Sequence, residues 1–262
     1  MIPSREIREK AREYGVPETT IERDYAQNWL LKHLSSINMI LKGGTGIRKV
    51  YIENYRFSDD LDFTLLENVN KEILKSLVMK EIFKAKEESG INFNDEIQIE
   101  ENINGFMITS YFRILRRSGT PMRIKLDFTK NEREKIVLPL ETKNIIHSYS
   151  DDCQFQIKAY SLEEIMAEKT RSLFERTRPR DLYDVWYLNG KVDEERMLSI
   201  LGEKCRFKNV ELNISSLVDR ESDFVNAWKN SLRHQLKELP EFDHVFQEVT
   251  REVKKYKIPE NL

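Results

Sequence analysis

Hydrophobic and polar positions change period along this chain, and the changes separate a mixed first part from a helical second part. Pro17 precedes Glu18, Thr19 and Thr20, then Ile21, Tyr25, Leu30, Leu31 and Leu34, which predicts an amphipathic helix ending before Asn38. Met39-Ile40-Leu41 predicts a short strand stopped by Gly43-Gly44. Asp60 to Leu65 alternates strictly, with Leu61, Phe63 and Leu65 on one face and Asp60, Asp62 and Thr64 on the other, so a half-buried strand with an acidic face is expected. Residues 70 to 89 carry Ile73, Leu74, Leu77, Val78, Ile82 and Ala85 at helical spacing, and Gly90 is placed to stop the helix.

Two further alternating stretches, Phe106 to Ile114 and Met122 to Phe128, read as strands of the same sheet. In the second, Ile124, Leu126 and Phe128 lie opposite Arg123, Lys125 and Asp127. The pattern loosens after Pro139, and from Ser161 nearly every segment is helical in period: 161 to 176, 179 to 189, 193 to 204, 222 to 238 and 241 to 256. A boundary near residue 155 is expected, giving domains 1-155 and 156-262, and the absence of a Pro/Gly/Ser run there argues for close packing of the two. No internal repeat at a fixed period occurs, which excludes solenoids and propellers.

Composition narrows the chemistry. The 262 residues can bury a core without disulfides, and Cys153 and Cys205 stand far apart in no CxxC or Cys/His arrangement, so a disulfide framework and a zinc site are both unsupported. The start is charged and lacks an apolar stretch of signal-peptide type, and no apolar run approaches ~18 residues, so a cytoplasmic protein without a membrane span is expected. Lys+Arg number 43 against 45 Asp+Glu, a net charge of −2, so an anionic substrate must be held by a local cluster or by metal on carboxylates.

Three local patterns carry such chemistry. Gly43-Gly44-Thr45 follows a strand, where glycines let the backbone approach an anion and the Thr45 hydroxyl can add a donor. Asp60 and Asp62 share a strand face about 6 to 7 Å apart, and Asp127 lies on the polar face of a second strand. Like charges there call for a cation, and Mg²⁺, with oxygen ligands and a habit of bridging carboxylates to phosphates, fits best. An acidic pair solvating an edge strand is the plainer reading of Asp-x-Asp alone; the glycine turn and Asp127 favour the metal. Third, Ser161 and Glu164 form a capping box that fixes a helix start. Its phase puts Lys169 and Arg176 on the apolar stripe with Leu162, Ile165, Met166 and Leu173, where the two cations can hold a triphosphate or else snorkel to water. Pro179 then opens another helix, in which Asp181 can simply favour the helix dipole. Asp184 has no such explanation and can pair with Arg180 or Lys169 or reach into a cleft.

Together these residues resemble the AbiEii family of nucleotidyltransferases, toxins of type IV toxin–antitoxin systems, which includes the MenT toxins. The resemblance rests on Gly43-Gly44-Thr45, Arg56-Phe57-Ser58-Asp59-Asp60-Leu61-Asp62, Lys169 with Arg176 seven residues on, and Arg180-Asp181-Leu182-Tyr183-Asp184, in family order from about residue 20 to 190. Glu22-Arg23-Asp24-Tyr25 resembles the family's N-terminal helix. Gly46-Ile47 departs from an expected Ala-Leu, and the glycine turn lies farther from the Asp pair, with 15 intervening residues, than in the wider polymerase-β-like superfamily. The resemblance implies an α+β protein: a polymerase-β-like nucleotidyltransferase domain with a mixed sheet and flanking helices, plus a C-terminal helical bundle. It implies transfer of NMP from NTP to an acceptor hydroxyl with release of pyrophosphate. Mg²⁺ (or Mn²⁺) would be held by Asp60 and Asp62, triphosphate by Lys169, and Asp181 would be the catalytic carboxylate of its motif, with Asp184 supporting it. Gly43, Gly44, Thr45, Ser58, Arg176 and Arg180 complete the nucleotide-binding set. Asp127 enters from the strand pattern, as third metal ligand or as base for the acceptor hydroxyl.

The acceptor implied is RNA, commonly tRNA, and a cognate antitoxin need not bind the toxin. An RNA enzyme should carry a basic stripe, for which Arg113, Arg116, Arg117, Arg123 and Lys125 are candidates, although a solvated strand end and turn explains them equally well. Alternatives are the same transfer to a small molecule or a protein, or a helical interaction module on a decayed transferase. Phe224, Trp228, Leu232, Leu236, Phe242, Val245, Phe246, Val249 and Val253 form helical stripes that read as core, and His33, His147, His234 and His244 show no metal-ligand spacing.

Overall fold

In the computed structural model, which describes residues 1–256 apart from Arg117 and Leu138, the alternating stretches pair into one eight-stranded sheet. The chain opens with helix α1 (Ser4–Glu13), unannounced by the expected pattern, and α2 (Glu18–Leu34). α2 is not amphipathic as expected: Thr20, Glu22, Asp24, Gln27 and Asn28 are buried along with its apolar residues. Strand β1 (Met39–Lys42) leads into the short helix α3 (Gly43–Gly46), which widens into a π-helical turn at Ile47–Tyr51. Then come β2 (Asp60–Leu65) and α4 (Lys71–Ser89), capped by the Asn70 side chain at one end and by left-handed Gly90 at the other. The strands β3 (Asn92–Phe93), β4 (Gln98–Glu101), β5 (Gly105–Arg113), β6 (Met122–Thr129), β7 (Glu141–Asn144) and β8 (Gln156–Ala159) complete the sheet.

Strand order is β3-β5-β6-β2-β1-β8-β7, with β4 also pairing β5. The sheet is mixed: β2 runs parallel to β6 and β1 parallel to β8, while the other pairs are antiparallel. Register sorts the side chains. Leu41, Phe63 and Phe128 fall on one row, and Leu61, Leu126 and Ile108 on another; all are buried. The opposite face keeps the polar half of each alternation.

The second unit is helical: α5 (Leu162–Glu175), α6 (Pro179–Leu188), α7 (Glu194–Lys208), α8 (Ile214–Val218), α9 (Glu221–Leu232) and α10 (Phe242–Val253). Its aromatic stripe packs as expected of a core, with Phe242 stacked on Phe246 and Trp228 edge-on to Phe242.

The chain divides into two compact units, the main change falling between Tyr160 and Ser161. The first comprises Met1–Arg133 and Leu140–Tyr160, the second Glu134–Pro139 and Ser161–Leu262. Two interactions set these limits. Tyr160 N–H donates to the Leu41 carbonyl, continuing the β1–β8 pairing, and so keeps residues 156–160 in the sheet. Glu134 is buried against a fork from Arg171, at 2.9 and 3.0 Å, which holds its segment to α5. Lys204, fully buried on α7, donates to the Lys135 carbonyl and pairs with Glu164 at 3.0 Å. Ser161 caps α5 by accepting from Glu164 N–H as a capping box requires, but the Glu164 carboxylate turns away to Lys204 and to Val137 N–H. Burial raises the Glu164 pKa, and Lys204 partly offsets the rise.

Candidate active site

The polar sheet face of the first unit gathers the acidic residues. Asp62 of β2 lies beside Asp127 of β6 in parallel register, and Asp60 lies one alternation earlier on β2, beside Lys125. Adjacent strands are about 4.8 Å apart, so the Asp62 and Asp127 carboxylates have a common reach into solvent. Asp60 and Asp62 are partly buried and Asp127 is exposed. Among the described residues, no three Asp, Glu, His or Cys side chains are drawn together as a ready-made metal cluster. The donor set still suits Mg²⁺, which keeps several waters and binds through one or two carboxylates plus substrate phosphates.

The sequence pattern missed Lys42. This buried lysine stands opposite Asp62 in the antiparallel β1–β2 register. Asp60 and Asp62 therefore each have a lysine as strand neighbour, which moderates the charge accumulated on this face. Lys42 ends β1 and reads from sequence as an ordinary strand terminus, so only the register exposes it.

Why the turn needs glycine is now concrete. Gly43 has φ +70°, and a Cβ there would run into the Asp62 carboxylate; a Cβ at Gly44 would meet the Arg56 guanidinium 2.6 Å away. The demand for glycine is firm at Gly43, where the left-handed backbone meets the strand's own acid, while at Gly44 the neighbour is the far end of the flexible Arg56 side chain. Thr45 also departs from expectation: it is fully buried, and its hydroxyl donates to the Asp60 carbonyl at 2.5 Å instead of facing outward as a phosphate donor. That bond fastens the turn directly to β2, so the 15 intervening residues leave the turn against the Asp pair. Ser58 is buried, with its hydroxyl 3.4 Å from the same carbonyl.

A second polar cluster, unsuspected from the sequence, lies behind the turn. Asp24 of α2 accepts from Arg48 Nε at 2.8 Å and Tyr149 Oη at 2.7 Å and pairs with Lys49 Nζ at 2.7 Å. Lys49 also donates to the Asp24 carbonyl, and Arg48 to the carbonyls of Glu53 and Tyr55. Burial alone would raise the Asp24 pKa, but Lys49 and Arg48 hold it well below the ordinary carboxylate range. Burial brings the Lys49 ammonium down to about 8, with Asp24 opposing the fall. Arg23, next in sequence, pairs with Asp59 at 2.6 Å.

In the second unit, α5 and α6 hold the other set. Lys169 reaches Asp181 at 2.7 Å and Asp184 at 3.0 Å, and Arg176 Nε reaches Asp181 at 3.0 Å. Pairing of Asp184 with Lys169, one of the options open from sequence, is thus present. Arg176 is not on the inward stripe: α5 ends at Glu175, and Arg176 is its extended C-cap residue with a side chain 43% exposed. Asp181 occupies the first turn of α6 and is buried. Burial pushes its pKa up, but Lys169 and Arg176 together hold it below the usual value. Arg180, also in that first turn, is partly buried. His33, His147, His234 and His244 contribute to no metal cluster among the described residues.

Of the basic candidates, Arg123 and Lys125 share β6 with Asp127 on its polar face. Arg113 is committed to its own turn, donating to the Gly119 carbonyl at 2.7 Å, and Arg116 is exposed. Arg117 lies outside the described residues. No helix among the described residues is long and apolar enough to cross a membrane.

Comparison with known proteins identifies the fold and the family. Among curated proteins, none matches the sequence. Among solved structures, MenT4, a nucleotidyltransferase toxin from Mycobacterium tuberculosis H37Rv, is 17% identical, with a TM-score of 0.66 over 98% of this chain and 91% of that one. JHP933 from Helicobacter pylori is 18% identical, with a TM-score of 0.58 over 91% and 92%. At these identities the likeness establishes the fold. Residues 28–248 match the family described as nucleotidyl transferase AbiEii toxin, type IV toxin–antitoxin system, and by this match over most of its length the chain belongs to the AbiEii family of nucleotidyltransferase toxins.

Proposed function

We propose that this nucleotidyltransferase moves an NMP from NTP to a hydroxyl of RNA, with tRNA as the acceptor, in a divalent-metal-dependent reaction that releases pyrophosphate. The observation that carries the reading is the placement of Asp62 and Asp127 side by side on the polar sheet face, with Asp60 on the same face and Gly43 packed against Asp62. Asp60, Asp62 and Asp127 would hold Mg²⁺ or Mn²⁺, and the metal supplies charge neutralisation of the phosphates and alignment of the attacking and leaving oxygens. Asp127, the exposed member, also suits the role of base toward the acceptor hydroxyl. Gly43, Gly44 and Ser58 shape the nucleotide side of this face, Thr45 acting through the Asp60 backbone.

In the second unit, Lys169, Arg176 and Arg180 form the triphosphate-binding set, with Asp181 the catalytic carboxylate of its motif and Asp184 holding Lys169. Arg176, exposed at the helix end, offers a guanidinium fork suited to phosphate. The RNA reading is supported by Lys125 and Arg123, which continue the Asp127 face as a basic row along one strand. A toxin acting this way works among soluble substrates in the cytoplasm, beside an antitoxin it need not touch. The test is incubation with Mg²⁺ and each α-labelled NTP, with and without total tRNA, beside Asp62→Asn. Label on tRNA from the wild type alone supports the reading. Label on the protein, or pyrophosphate release only with small hydroxyl acceptors, replaces the RNA acceptor. No turnover with any NTP rejects the transfer reading.

A further inference from the structure

The Asp24 cluster is a buried polar assembly that no step above uses. Its members come from three separated stretches: Asp24 on α2, Arg48 and Lys49 on the turn after α3, and Tyr149 between β7 and β8. Several of its interactions end on the segment that carries the glycine turn into β2. Arg48 holds the Glu53 and Tyr55 carbonyls, and its guanidinium lies 3.6 Å from the centre of the Phe57 ring. Lys49 offers its own carbonyl to Ile146 N–H at 2.6 Å. Arg48 and Lys49, adjacent in sequence within the π-helical turn Ile47–Tyr51, both reach Asp24.

The cost of such a cluster calls for an explanation. Two cations around one carboxylate leave an excess positive charge in the interior, and well-packed apolar residues would serve stability as well or better. What apolar residues would not do is hold backbone carbonyls at fixed places. The wider turn, the three carbonyls of Asp24, Glu53 and Tyr55 and the ring of Phe57 are all fixed by Arg48 and Lys49, and Asp24 fixes both of these in turn.

We infer that Asp24 is a positioning residue for nucleotidyl transfer: through Arg48 and Lys49 it locks the Gly43–Tyr51 turn and the 52–58 segment, and so sets where Gly43 and Ser58 stand relative to Asp60 and Asp62. The inference rests on the proposed role of that sheet face. A displacement of about 1 Å in a reacting geometry costs on the order of 100-fold in rate, so Asp24→Asn is expected to lower kcat/KM by about 10- to 100-fold while the protein stays folded.

The control is Asp151→Asn. Asp151 serves the same helix, accepting from Tyr25 Oη at 2.6 Å and Trp29 Nε1 at 3.2 Å, without touching the turn. Both variants, purified as full chains, are compared at equal distances below their own melting temperatures. Hydrogen–deuterium exchange of the free protein is read over residues 39–58, and kcat and KM for NTP are measured with tRNA and Mg²⁺. The inference expects faster exchange at residues 43–51 and reduced kcat/KM in Asp24→Asn only, with Asp24→Glu recovering part of both. Equal exchange at 43–51 in the two variants overturns it, whatever the activity. Faster exchange in an otherwise active Asp24→Asn enzyme with unchanged kcat and KM also overturns it. If the wild type transfers no nucleotide at all, the functional reading fails, while the exchange comparison still decides whether Asp24 fixes the turn.

Discussion

Lys169→Met separates a structural from a catalytic contribution of the lysine, because the structure sets a stability cost for it. Lys169 is 13% exposed and meets two aspartates, Asp181 at 2.7 Å and Asp184 at 3.0 Å, with side chains 3% and 0% exposed. Removing one partner of a buried pair costs about 3–5 kcal/mol, because the surviving charge is left desolvated. Arg176 continues to compensate Asp181, but that pair is 43% exposed on the arginine side and solvent screening leaves it worth well under the buried pairs. Asp184, wholly buried, loses its ion pair with Lys169. Taking about 4 kcal/mol, and about 2–4 °C per kcal/mol for a chain of this size, the melting temperature should fall by roughly 8–16 °C.

Calorimetry of the full chain measures this at pH 7, and the double variant Lys169→Met with Asp184→Asn should recover a large part of the fall, since one buried negative charge is then removed. A Lys169→Met melting temperature within about 2 °C of wild type, with activity abolished, would refute the reasoning and make the lysine's role wholly catalytic. An activity loss from Lys169 substitution therefore carries weight only when measured well below the variant's own melting temperature.

The remaining expectations are more direct. Arg176→Ala, at an exposed position, should leave the unfolding free energy within about 1 kcal/mol of wild type and raise KM for NTP in a steady-state assay; an unchanged KM removes it from the triphosphate set. Gly43→Ala must take up φ +70° against the Asp62 carboxylate, so it should cost at least about 1–2 kcal/mol in urea denaturation and abolish transfer. Asp24 and Asp181 have depressed carboxyl pKa values in the fold. Their stabilisation is complete above the unfolded value near 4 and is lost as pH falls through the lower folded values. Each then contributes up to about 1.4 kcal/mol per pH unit, and Asp24→Asn should flatten the acid limb of a stability–pH curve measured by urea midpoint between pH 5 and 2. Arg123→Glu should weaken tRNA binding and flatten its salt dependence in a filter assay, without changing turnover toward any small hydroxyl acceptor.

How much of this was legible in the sequence follows from the range of each interaction. The face of β2 carrying Asp60 and Asp62, and that of β6 carrying Asp127, could be read because alternation is local, and the ends of α4 because Asn70 and Gly90 cap it through neighbours. The adjacency of Asp62 to Asp127 could not, since it depends on a parallel pairing between strands some sixty residues apart. The polar residues of α2 misled for the same reason: Asp24, Gln27 and Asn28 look solvent-facing until Arg48, Ser58 and His147 arrive from elsewhere. Arg176 was misplaced by one residue of helix, enough to turn it from an inward cation to an exposed cap. Strands β7 and β8 were missed because Glu141–Asn144 is mostly exposed and Gln156–Ala159 is only four residues long.

The excursion of Glu134–Pro139 into the second unit bears on when the protein can fold during its own synthesis. Glu134 leaves the ribosome 37 residues before Arg171 and 70 before Lys204, the cations that bury it. At about 5–20 residues per second the wait for Lys204 is roughly 4–14 s. The first unit waits too, because β1 pairs on one side with β8, more than a hundred residues downstream, and until then presents an open edge. Neither unit can close from an uninterrupted stretch of early chain. A nascent polypeptide halted before Arg171 thus holds the whole of Asp60, Asp62 and Asp127 without the cations that settle Glu134 and its segment into the helical unit, and a toxin with this threading completes its structure only after both have been made.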